Sequence, residues 1–67
     1  MNEEKITELI AMRDQMLHLR NDSSLVKGVT FNTVAGDIRL DNREKALLLI
    51  DHLISDIQKQ ITYLMKE

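Results

Sequence analysis

Four arginines, Arg13, Arg20, Arg39 and Arg43, are the residues of this sequence best suited to chemistry. A guanidinium holds its donors in a fixed plane that matches the oxygens of a carboxylate or a phosphate. In helical projection Arg13 falls inside an apolar arc, flanked by Ile6, Leu9 and Leu17, and Arg20 repeats the same stripe seven residues on. Arg43 also projects into an apolar sector of its own helix. In an antiparallel helix pair the end of the first helix meets the start of the second. That would gather Arg20 and Arg43 in one neighbourhood, with Arg39 on the adjoining strand. The start of the second helix would add backbone N–H groups and the positive end of its dipole. The constellation predicts an anion pocket at the helix–hairpin junction or between subunits, for a nucleotide-like phosphate or an acidic side chain of a partner. The plainer reading is that each arginine lays its stem on apolar surface, or pairs with Glu8, Asp14, Asp22, Asp41 or Glu44.

Thr30, Asn32 and Thr33 form a second polar group on a short strand beside a glycine-containing turn. They could read a ligand or offer an edge for strand addition, or simply face solvent. His52, Asp56, Lys59 and Tyr63 make a row along one side of the C-terminal helix, and Asp14 and His18 make a similar pair near the N-terminus. A histidine four residues from an aspartate can have its imidazole oriented by the carboxylate. Catalysis would also need a nucleophile, electrophile or metal, and a pocket. None is indicated, so the row reads as a solvated helix face and the chain as a non-enzyme. There is no cysteine, hence no disulfide and no thiolate metal site. Gly28 and Gly36 are the only glycines, too few and too far apart for a phosphate loop. No cofactor is expected. A helix-turn-helix reading fails because the centre of the chain has strand character.

These groups must be positioned by three elements. Asn2 can cap a helix with Glu3 and Glu4 in its first turn, followed by apolar residues from Ile6 to Leu19; the expected span is 2–20. Asn21, Asp22, Ser23 and Ser24 stop it, since their side chains compete for backbone hydrogen bonds. Val29, Phe31 and Thr33 alternate with Thr30 and Asn32, which predicts a strand. With a turn at Ala35-Gly36-Asp37, the expected hairpin pairs 27–34 with 37–40. Asp41-x-x-Glu44 resembles a capping box and opens a helix over 41–65. Within it Leu47, Ile50, Ile54, Ile57, Ile61 and Leu64 recur at spacings of three and four, an a/d seam.

The expected fold is a single α+β domain over residues 1–67, mostly α. Two antiparallel helices bracket a short β-hairpin, the C-terminal helix is long and heptad-patterned, and the whole is oligomeric. A chain of 67 residues without cysteine builds a small core and commonly needs a second copy. The second helix, if longer, would overhang the first by about two turns at Ile57, Ile61, Leu64 and Met65. The interface expected with another copy is Leu47, Ile50, Leu53, Ile54, Ile57, Ile61 and Leu64. The formal charge of −2, with both signs mixed, gives no basic surplus for nucleic acid. The longest apolar run, Ala46–Ile50, is far too short to span a membrane. The expected setting is cytoplasmic, for a host protein or one made by a phage. The expected partners are the chain itself and another protein that it modulates, as an inhibitor or adaptor. The alternative is a small anionic ligand such as a nucleotide.

Overall fold

A computed structural model describes residues 2–66. The chain runs α1 (Asn2–Asn21), a single 3-10 turn (Ser23–Leu25), β1 (Val29–Thr33), β2 (Gly36–Leu40) and α2 (Arg43–Met65). It is mostly helical, with one two-stranded antiparallel sheet between the helices.

Asn2 stands inside α1, so the cap position of that helix lies outside the described residues. At its far end Asp22 N–H still donates to the His18 carbonyl at 3.1 Å. The Ser24 hydroxyl then bonds the Asp22 carboxylate at 2.5 Å, and Leu25 and Val26 donate three residues back to Asp22 and Ser23. Side-chain competition for the backbone tightens the exit into a 3-10 turn.

The hairpin register pairs Val29 with Leu40, Phe31 with Ile38 and Thr33 with Gly36. The turn is therefore Val34-Ala35, one residue before the Ala35-Gly36-Asp37 expected. Gly36 opens β2 with φ 113°, so its freedom serves the residue after the turn rather than the turn itself. Thr33 fixes this arrangement: its hydroxyl accepts from Ala35 N–H at 3.1 Å and donates to the Gly36 carbonyl at 2.6 Å. At the other end of the ladder Gly28 lies tight against the Leu40 carbonyl and Asp41, where a Cβ would collide.

The cap of α2 is Asn42, not Asp41. The Asn42 side chain accepts from Lys45 N–H at 3.0 Å, and its carbonyl accepts from Ala46 N–H. Asparagine caps as well as aspartate, and the Asp41 carboxylate is already engaged by Arg39 at 3.0 Å. The expected Asp41–Glu44 capping box does not form; a single Asn42 cap replaces it and α2 starts at Arg43.

The helices pack antiparallel through two small clusters. Leu9 meets Ile57 and Ile61, with Ile6, Ile10 and Leu64 around them. Val26, Ala46 and Ile50 form the second, edged by Met16, Leu19, Val29, Leu47 and Ile54. Of the expected overhang, Ile57 and Ile61 are buried and Leu64 is half-buried, because α1 has 20 residues against 23 in α2 and the start of α1 lies on the end of α2, while Met65 stays exposed. The surplus length falls at the first turn of α2, which Val26 covers. Six apolar side chains are buried in all among the described residues.

The molecule is a plate. Its principal extents are 39 × 31 × 14 Å, and its radius of gyration is 13.9 Å, where a compact chain of this length has about 11 Å. The helix pair and the hairpin lie beside one another instead of stacking. Both strands are exposed apart from Val29 at the base.

Candidate functional site

Each of the four arginines has a partner within the chain. Arg13 bonds Gln58 Oε1 at 2.8 Å through Nη1 and reaches Asp14 at 3.3 Å. Arg20 Nε meets Asp51 Oδ1 at 2.6 Å. Arg39 Nε meets Asp41 at 3.0 Å, with both side chains largely in solvent. Arg43 Nε donates to the Val26 carbonyl at 2.7 Å, which ties the strap before the hairpin to the first turn of α2.

This arrangement differs from the expected convergence. The partner of Arg20, Asp51, lies eight residues beyond Arg43, roughly 12 Å along the helix. Arg13 and Arg20 are spaced by seven residues, and so are their partners Gln58 and Asp51. The pair forms two cross-helix clamps along one flank of the α1–α2 contact. That is why an arginine stripe can border an apolar arc: the heads cross to the neighbouring helix. The sequence carried this signal in the matching spacing of Asp51 and Gln58.

A shallow open cleft of about 590 Å³ lies at the base of the hairpin. Thr30 and Arg39 line it, with Lys27, Asp37 and Asp41. Arg13, Arg20, Arg43, Asn32 and Thr33 do not. Two cations face two carboxylates there, so an anion entering gains little net attraction. Thr33 is taken up by the turn. His52 Nε2 and Asp56 Oδ2 stand 3.4 Å apart on an exposed stretch of α2. Among the described residues no three potential metal ligands cluster, no buried polar side-chain atom lacks a partner, and no helix is long and apolar enough to cross a membrane.

The seam of α2 is used inside the chain. Ile50, Ile57 and Ile61 are buried, and Leu47, Ile54 and Leu64 pack around them half-buried. Leu53 is half-buried outside these clusters, and so is Leu49. Leu48, on the far side of the helix, is exposed.

Uncovered apolar surface is the prominent feature instead. Phe31, Ile38 and Leu40 are exposed along the hairpin, Val34 at its tip, and Leu25 just before it. Alternation in the sequence had already placed Val29, Phe31 and Thr33 on one face. What it could not supply was the position of the helices, which leave that face open. Comparison with protein-family models, with curated proteins and with solved structures finds no match for this chain.

Proposed function

We propose that the protein is a small non-enzymatic homo-oligomer that binds and modulates another macromolecule, acting as an inhibitor or adaptor. One observation carries the reading. The chain exposes 5480 Å², whereas a compact monomer of its mass exposes about 4,400 Å². A domain is ordinarily two packed layers around a core, and this chain supplies one. A second copy is the simplest source of the other layer. The proposed setting is the cytoplasm, in a host or a phage-encoded context. Leu48 and Tyr63, both exposed on α2, are surface left for the macromolecule that the assembly modulates.

Urea unfolding at a series of chain concentrations tests the assembly. For an oligomer whose folding and association are coupled, the midpoint rises with concentration. A midpoint that is the same over a hundredfold range of concentration would remove the proposal.

The alternative proposal is capture of a phosphorylated small molecule such as a nucleotide through arginines at the helix–hairpin junction or subunit interface. Of the expected ligand residues, Thr30 and Arg39 line the cleft, opposed there by Asp37 and Asp41. Titration calorimetry with nucleoside mono- and triphosphates tests it. Heat that disappears in Arg39→Ala would support capture, and no heat with any of them would exclude it.

A further inference from the structure

The hairpin has two unlike sides. Directly opposed residues of an antiparallel pair share a face, and faces alternate along each strand. The register therefore puts Val29, Phe31, Ile38 and Leu40 on one side and Thr30, Asn32, Asp37 and Arg39 on the other. The second side is polar, with charges of both signs. The first carries no charge, yet Phe31 is 48%, Ile38 60% and Leu40 42% exposed. Amphipathic strands normally bury their apolar side against a core, and an isolated hairpin is marginal in water. Here the helix pair of the same chain reaches it only at Val29, at the base of the hairpin.

We propose that the apolar side of the hairpin is the surface on which a second copy of this chain docks, so that two single-layer plates close into one two-layer molecule. The inference rests on the oligomer reading above and adds the surface. Three features select a second copy as the occupant. The chain as a whole exposes about 1,100 Å² more than a compact monomer of its mass, an excess larger than the roughly 800 Å² per partner that a standard stable interface covers. The plate is only 14 Å thick, so one further layer completes an ordinary domain. The patch is free of charge, so the same surface can meet itself across a two-fold axis without opposing like charges. The α2 seam cannot serve equally well, since α1 already covers Ile50, Ile57 and Ile61.

The test uses the full chain and starts from its mass in solution. Phe31→Asp places a charge on the proposed interface, and Asn32→Asp places the same charge one residue away on the polar side. The expected result is a dimeric wild type, a dimeric Asn32→Asp variant, and association weakened about a hundredfold in Phe31→Asp. Phe31→Trp provides a second readout that does not depend on the charged variant folding, because the chain has no tryptophan of its own. The emission of the Phe31→Trp variant should be that of a buried indole at high concentration and shift to the red as the dimer dissociates on dilution. A wild type that is monomeric throughout overturns both the assembly and this interface. A dimer in which the indole emission of Phe31→Trp stays water-exposed, or in which Phe31→Asp associates as tightly as Asn32→Asp, overturns the interface alone.

Discussion

At the scale of single residues, polar side chains in this protein do structural work across element boundaries. Arg43 is the clearest case. Its Nε is bonded to the carbonyl of Val26, a residue that is 5% exposed. Removing the donor leaves that carbonyl without a protein partner. Arg43→Met is expected to cost about 1–3 kcal/mol in urea unfolding, while Arg39→Met, which loses only an exposed pair, should cost less than about 1 kcal/mol. Equal losses would contradict the role assigned to Arg43. Gly28 makes a second residue-level prediction. A Cβ there meets the Leu40 carbonyl and the Asp41 backbone, so the chain must shift. Gly28→Ala should destabilise by about 1–3 kcal/mol, even though the ordinary effect of replacing a glycine is to stabilise slightly through the unfolded state. A neutral or stabilising effect in thermal unfolding would show that the base of the hairpin yields freely. The Arg20–Asp51 pair is roughly half exposed on both sides, and a double-mutant cycle should give a coupling of only about 0.2–1 kcal/mol.

At the scale of elements, the core is two short clusters, so each buried side chain matters. Ile57 is 5% exposed, in contact with Leu9 and Ile61. Leu48 is 60% exposed. Ile57→Ala is expected to cost about 2–4 kcal/mol, enough to lose much of the helical circular dichroism of so small a domain. Leu48→Ala should change stability by less than about 0.5 kcal/mol. The cap offers a matching contrast: Asn42→Ala should cost about 1 kcal/mol, and Asp41→Ala markedly less, because Asp41 faces Arg39 in solvent. Amino-acid pattern foretold two helices with a hairpin between them, but it assigned the α2 seam to a second copy, whereas Ile50, Ile57 and Ile61 are buried within the chain. It misjudged the points where two equivalent local solutions compete. Asp41 and Asn42 are both good caps, and the choice falls to Asn42 because Arg39 holds the aspartate. Ala35-Gly36 and Val34-Ala35 are both plausible turns, and the Thr33 hydroxyl decides for the second. The arginines were read as a converging group because the offset between the helices is not written in either helix alone. That offset is set by Leu9 meeting Ile57 and Ile61, and it sends Arg20 to Asp51.

At the scale of the whole molecule, the plate shape governs the account. Hydrophobic spacing predicted an excess of apolar surface and assigned it to the end of α2. The excess is present and is shared between the helices, at Met12, Leu17, Leu48, Tyr63 and Met65, and the hairpin, at Phe31, Val34, Ile38 and Leu40, because a helix pair of nearly equal lengths covers its own seam and leaves the sheet without a second layer. A protein with this shape should change its mass, not its secondary structure, when the exposed face finds its partner. Light scattering of the purified chain over a concentration series is therefore the most direct measurement. The expected mass is twice the 7.8 kDa of one chain at high concentration, with dissociation on dilution. A mass of one chain at every concentration, with helical circular dichroism intact, would contradict it.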